Sequence, residues 1–269
     1  MRHLAVDCGR YAVKVLGANH YLDRFPSYVG ETRERRLINA PRDTDITLTT
    51  SLGTFFVGDL AKDESQGGAR IMTANKIHQD TQLLIMAAVA RAAQDGDAFV
   101  VTTGLPVEHH TPDMAEGMKT LLRGHFSCAV NDVAKRFSID RVNIAVEGAS
   151  AYATLCAGQG GVRRILDIGS RTVNYGTIID GRYRDRESGT LDFGADTIGE
   201  PAALSRRIVA ELSRALPDLN ADTYLIGGGA ILCATHLRPY FATLRHVLEP
   251  EWVNTRAFFE IGERAMRRA

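Results

Sequence analysis

The chain has 269 residues, 45% hydrophobic and 24% charged, the make-up of a globular protein with room for one large domain or two ordinary ones. Its 32 Lys and Arg balance 32 Asp and Glu, which argues against holding nucleic acid by bulk electrostatics, because phosphate neutralisation needs clustered positive charge. Cys8, Cys128, Cys156 and Cys233 lack the Cys-x-x-Cys and His spacings of a zinc site, and their apolar settings predict buried free thiols in a reducing cytoplasm.

In chain order, Leu4-Ala5-Val6 and Tyr11 to Gly17 read as the arms of a hairpin, and Ile46–Thr50 with Thr54–Val57 as a second one around Leu52-Gly53. Arg33 to Asp45 is turn-rich, and Asp63 to Gly68 reads as a loop. Leu83, Leu84, Ala87, Ala88, Arg91 and Ala92 recur at helical spacing within His78–Gln94. The apolar run Leu83 to Ala93 is too short to span a bilayer, and the first residues show no basic-then-apolar leader, so a cytoplasmic protein without membrane contact is expected. Ala98–Thr103 is a β-branched run broken by Gly104-Leu105-Pro106, and Thr111-Pro112 opens a helix reaching about Arg123.

His125–Asn131, Ala134–Ser138 and Val142–Val146 predict three strands. Gly148–Ala157 predicts a helix of small residues, and Gly158–Gly161 an interdomain hinge. Arg182–Leu191 reads as strand, Thr197–Leu216 as helix, Thr223–Ile226 as strand, then Ala230–Phe241 and Trp252–Arg268 as helices. Strands alternating with helices predict an α/β fold.

One pattern occurs twice. Val6-Asp7-Cys8-Gly9 returns through Val13 and Lys14, and Leu166-Asp167-Ile168-Gly169 returns through Val173 and Asn174, 160 residues later. A lone Asp-x-Gly is a common turn. A pair in register predicts two tight turns whose backbone N–H groups converge on the phosphates of one nucleotide in an interdomain cleft. Asp7 and Asp167 would anchor a hydrated Mg²⁺, which asks for only one or two acidic ligands, and Lys14 can place a positive charge on the terminal phosphates.

Gly227-Gly228-Gly229 follows a short apolar strand and precedes a helix, a place for close backbone approach, and its spacing and late position rule out a dinucleotide fingerprint. Glu147 ends a strand before a helix. It either activates water or complements the helix dipole, and spacing favours neither. Glu108-His109-His110 has no further ligand at metal spacing and reads as loop surface.

With these motifs placed, the chain resembles the bacterial actin-like ATPases of the plasmid-segregation type, the ParM group and its relatives. Phe25-Pro26-Ser27, Phe56-Val57-Gly58-Asp59-Leu60-Ala61, Thr103-Gly104-Leu105-Pro106-Val107, Glu147-Gly148-Ala149 and the Trp252 to Phe259 stretch extend the resemblance over nearly the whole chain. It implies the duplicated, ribonuclease H-like two-domain fold. Domain I would span 1–146, with the C-terminal helix 250–269 packing back on it, and domain II 147–249.

It also implies an ATPase (ATP or GTP, with Mg²⁺) that polymerises into filaments held by a DNA-bound adaptor, with no direct nucleic-acid contact. Carried over by position, Asp7, Gly9, Lys14, Asp167, Gly169, Ser170 and Thr172 would surround phosphates and Mg²⁺. Gly227, Gly228 and Gly229 would support the adenosine, Gly194 would lie near the ribose, and Glu147 would activate water.

The chain departs from the pattern at Cys8, Arg10, Tyr11, Arg171 and Asn174. Only 60 positions separate Asp167 from Gly227. That resembles the short AlfA-like members, in which the upper subdomain of domain II is reduced or absent. Two other classes are compatible with the hairpin and glycine motifs: a small-molecule kinase resembling type III pantothenate kinase, which would lack the Gly-Leu-Pro-Val segment, and a non-hydrolysing actin-like scaffold.

Overall fold

The computed structural model describes residues 1–36, 39–65, 69–70 and 76–268. The chain forms two compact units: Met1–Thr103 with Pro112–Ile144 and Gly262–Ala269, and Gly104–Thr111 with Ala145–Ile261.

The first unit is built on a ten-stranded sheet. In chain order its elements are β1 (Arg2–Cys8), β2 (Ala12–Gly17), β3 (Leu22–Pro26), β4 (Tyr28–Glu31), β5 (Asp45–Thr50), β6 (Gly53–Gly58), α1 (Asp59–Glu64), β7 (Ala69–Arg70), α2 (Gln79–Ala92), β8 (Asp97–Leu105), α3 (Pro112–Leu122), β9 (Gly124–Val130) and β10 (Val133–Val146). The strand order is β3-β2-β1-β8-β10-β9-β5-β6-β4-β7, with β1 parallel to β8 and antiparallel to β2.

Helix α2 is apolar on nearly every face, and Leu83, Leu84, Ile85, Ala87, Ala88, Val89 and Ala90 are all buried. Each large side chain among them contributes about 1.5–3 kcal/mol by leaving water, so this helix anchors the unit's core. The turn into α1 is tied by the Asp59 N–H donating to Thr44 O at 3.0 Å and by Thr44 Oγ1 donating to Asp59 Oδ2 at 2.6 Å.

The second unit carries a six-stranded sheet. Its elements are α4 (Tyr152–Leu155), β11 (Val162–Ile168), β12 (Val173–Ile179), β13 (Arg182–Tyr183), β14 (Gly189–Leu191), α5 (Pro201–Ala215), β15 (Asp222–Ile226), α6 (Ala230–Leu237), β16 (Leu244–His246) and α7 (Val253–Arg267). The order is β13-β12-β11-β15-β16, with β14 added to β12, and β15 lies parallel to both β11 and β16. Leu204, Ile208, Leu212 and Leu216 of α5 and its end pack with Ala230, Cys233 and Leu237 over one buried cluster. All four cysteines are buried, and none is joined in a disulfide. Among the described residues no helix is long and apolar enough to cross a membrane.

Several expected elements change form. The two strands Ala134–Ser138 and Val142–Val146 are one 14-residue strand, β10, because burial keeps alternating through Phe137 and Ile139 while Asp140 faces outward. The expected strand break at Gly104 falls inside β8. Gly148–Ala157 is a 3₁₀ turn at Ala149–Ala151 followed by the short α4. Arg182–Leu191 is two short strands around a 3₁₀ turn at Asp185–Glu187, not one strand.

Helix α5 begins at Pro201, not Thr197, because Glu200 caps it by accepting from the N–H groups of Ala202 and Ala203. Those two bonds, and Arg206 nearby, hold the Glu200 carboxyl below the usual carboxylate range. Of the expected loop Asp63–Gly68, Asp63 and Glu64 close α1, while 66–68 lie outside the described residues.

The expected hinge Gly158–Gly161 lies within the second unit. The terminal helix is shared: α7 up to Ile261 counts with the second unit, where Phe258 lies over Gly104, and the chain from Gly262 counts with the first, where Gly262 abuts His3 and Thr102. Between β12 and β15 stand only two short strands, a turn and α5, so no further subdomain is inserted there.

Candidate functional site

The two acidic hairpins share one register. Asp7 pairs with Lys14 and Cys8 with Val13 across β1 and β2. Asp167 pairs with Asn174 and Ile168 with Val173 across β11 and β12, so each pair keeps the offset of 160. In each unit the acidic strand has an antiparallel partner on one side and a parallel one on the other. Both carboxylates are 5% exposed. A buried charge must be paired or hydrogen-bonded, and the two hairpins meet that need differently.

In the first unit, Lys14 Nζ donates to Asp7 Oδ2 at 2.6 Å. The turn that follows is held by Ser27, a fully buried residue whose Oγ donates to Gly9 O at 2.6 Å and whose N–H donates to Tyr11 O at 3.1 Å. The Phe25-Pro26-Ser27 segment is therefore the brace of the first turn.

In the second unit, Asp167 Oδ2 accepts from Asn254 Nδ2 at 2.8 Å. The turn closes with the Gly169 N–H donating to Thr172 O at 2.9 Å. Gly194 lies against that turn: a Cβ there would stand 2.6 Å from Gly169 O and 2.7 Å from Ser170 O. Next to it the N–H groups of Ala195 and Asp196 donate to Gly169 O and Ser170 O at 2.9 and 2.8 Å. Ser170 Oγ donates to Asp196 Oδ2 at 2.5 Å, and Thr197 Oγ1 accepts from the Gly194 N–H, also at 2.5 Å.

The glycine run backs the same carboxylate. Gly227 has φ +89°, and a Cβ would meet Asp167 Oδ1 at 2.4 Å, so only glycine fits. Gly229 packs on Ile168, its N–H donating to Ile168 O at 2.9 Å, whereas Gly228 is exposed with open space above it.

Glu147 is also in the second unit and buried. Its N–H donates to Leu105 O at 2.9 Å, tying it to the Gly-Leu-Pro segment. Gly148, at φ +71°, stands where a Cβ would lie 3.3 Å from Asp167 Cβ and 3.2 Å from Asn174 Cβ. Asn174, itself buried, accepts from Thr190 Oγ1 at 2.7 Å.

The predicted residues thus fall into two groups. Asp7, Gly9 and Lys14 are gathered in the first unit; Glu147, Asp167, Gly169, Ser170, Thr172, Gly194 and Gly227–Gly229 in the second. Residue-by-residue reading missed Ser27, Asn254, Asp196 and Thr197. Ser27 and Asn254 lay inside segments noted only for their resemblance. His109 sits in a 3₁₀ turn, and among the described residues no group of three or more His, Cys, Asp or Glu is arranged to hold a metal.

The donor set suits a hydrated Mg²⁺ and a phosphate chain. Taken by itself, each unit presents one buried carboxylate beside its turn, enough for a cation that keeps most of its waters. The backbone around Gly169, Gly194 and Gly227 is bare and tightly stacked, and the exposed Gly228 leaves room for a flat group.

The family profile "Actin like proteins N terminal domain" matches residues 5–149, more than half of the chain. No curated protein matches by sequence. In three dimensions the chain is similar to the apo ParM protein of pSK41, at 17% identity and a TM-score of 0.80, covering 99% of this chain and 98% of that one. It is similar to Ta0583, an archaeal actin homolog solved in complex with ADP, at 18% identity and a TM-score of 0.80, covering 98% and 100%. It is also similar to AlfA from Bacillus subtilis plasmid pLS32 in its filament, at 16% identity and a TM-score of 0.76, covering 97% and 98%.

Proposed function

The chain belongs to the actin-like proteins, and on that premise we propose that it is an ATPase that polymerises into nucleotide-dependent filaments for plasmid DNA segregation. The observation that carries this reading is the repeated acidic hairpin, identical in register in both units, with Gly194 and the Gly227–Gly229 run stacked on the second copy. Support comes also from the ADP complex of the archaeal homolog and the filament of AlfA.

In this reading the backbone N–H groups of residues 170–172 hold phosphate oxygens, joined by the Ser170 hydroxyl once it exchanges Asp196 for phosphate, and Gly194 with Gly227–Gly229 supports the nucleoside of ATP or GTP. In the first unit, Gly9 offers the same bare turn, and Lys14 exchanges part of its contact with Asp7 for phosphate. Asp7 and Asp167 would hold the water shell of an Mg²⁺ ion, whose charge would offset that of the phosphates. Glu147 is the group that orients or deprotonates the attacking water. Head-to-tail contacts between copies that do not close into a ring give an open helix, the assembly this function requires. A DNA-bound adaptor holds the filament in the cytoplasm, without direct DNA or membrane contact by this chain.

Pelleting and negative-stain microscopy with ATP, with ADP and without nucleotide test the proposal. Filaments are expected to depend on the nucleotide, and identical behaviour in all three conditions would end it. Glu147→Ala should slow phosphate release by about 100-fold, the usual worth of a general base, while nucleotide affinity stays within about threefold.

A further inference from the structure

Asn254, in the first turn of α7, makes two bonds with opposite ends of its carboxamide. Its Nδ2 donates to Asp167 Oδ2 at 2.8 Å, and its Oδ1 accepts from the Gly148 N–H at 3.0 Å. Both bonds are buried, and they join positions 87 and 106 residues away in sequence. Gly148 follows Glu147 directly, and its positive φ turns the chain just beyond that glutamate, past the end of β10. One side chain therefore ties the acidic hairpin of the second unit to the peptide that carries the expected water-activating residue.

We infer that Asn254 is a positioning residue that holds the Asp167 carboxylate and the Glu147-Gly148 peptide in fixed relation. The inference rests on the reading of Asp167 as the anchor for Mg²⁺ waters and of Glu147 as the base. An amide is required because one end must donate and the other accept. A carboxylate at this position keeps the acceptor for Gly148 but sets a second negative charge against Asp167. A methyl group removes both bonds. Residues that orient a metal-anchoring group through hydrogen bonds typically matter 10–100-fold to metal affinity or activity.

Two variants separate the two halves. Amide hydrogen exchange at Gly148, measured without nucleotide, should be slow in the wild type, at least about tenfold faster in Asn254→Ala, and still slow in Asn254→Asp. The Mg²⁺ concentration that half-saturates ATP binding should rise by about tenfold in both variants, with Mg²⁺-free ATP affinity within about twofold of wild type.

Fast exchange at Gly148 in the wild type, or unchanged exchange in Asn254→Ala, would overturn the tie. Unchanged Mg²⁺ dependence in Asn254→Asp would overturn its role toward Asp167. If Asn254→Ala does not fold, Asn254→Asp and the wild-type exchange rate decide. If the wild type binds no nucleotide, the reading of the site fails, while the exchange data still settle whether Asn254 joins the two segments.

Discussion

The two acidic hairpins have the same register but satisfy their buried aspartates by different means, one by a cation and the other by a neutral amide. Asp7 is served by the residue directly across its own hairpin, Lys14, at 2.6 Å. The corresponding residue in the second copy, Asn174, is turned to Thr190, and Asp167 instead takes its donor from Asn254, 87 residues along the chain. The first copy is self-sufficient in sequence; the second depends on a helix from the end of the chain. Duplication has preserved the geometry of the turn and left the surrounding electrostatics free to diverge.

Breaking the second copy at its backing should cost most. Gly227→Val places a branched side chain at φ +89° and 2.4 Å from the Asp167 carboxylate, so chemical denaturation should register a loss of about 3 kcal/mol or more, together with loss of nucleotide binding. Gly9→Ala in the first copy meets only Ala12 O at 3.0 Å and should cost about 1 kcal/mol.

Next comes the cross-strand pair. Lys14→Met leaves the buried Asp7 carboxylate without its cation, an expected loss of about 3 kcal/mol that Asp7→Asn in the same chain should largely restore. Asn174→Ala removes one neutral hydrogen bond to Thr190 and should cost only about 1 kcal/mol. Equal losses in the two variants would contradict the contrast drawn between the copies.

The smallest effect concerns pH. His3 lies on β1, and its counterpart 160 residues on is Arg163. His3 is buried between Glu263, 3.1 Å from Nδ1, and Thr102 Oγ1, 2.9 Å from Nε2. Burial lowers its pKa below 6.5, and Glu263 only partly opposes this. The fold therefore favours the neutral ring: stability is full above the unfolded value and is lost as pH falls from about 6.5 toward the folded one. A thermal melt series from pH 7.5 to 5 should show this decline, and His3→Gln should flatten it by an amount on the order of 1 kcal/mol.

Both hairpins, α2 and the glycine run were legible in the sequence, because each rests on a local pattern: alternation, helical spacing, or glycine where the backbone must come close. The elements misread were those whose form depends on neighbours. The small-residue stretch after Gly148 has helical composition, yet Ala149 must sit against Gly176, so the helix shortens to α4. β10 runs unbroken through Asp140 and Arg141 because β9 pairs with it up to Ile139 and β8 lies along its other side. Asn254 lay in the Trp252 to Phe259 stretch noted for its resemblance, but nothing in that stretch pointed to Asp167, 87 residues away.

By itself, then, the sequence determined the duplication, the two aspartates that open the turns, and the glycines that let backbone crowd against them, since these demands act within a few residues. Only tertiary structure decided that Asp167 receives its donor from Asn254 and not from the residue across its own hairpin. That choice turns on which distant side chain is delivered within about 3 Å of a buried charge, and no spacing along the chain encodes it.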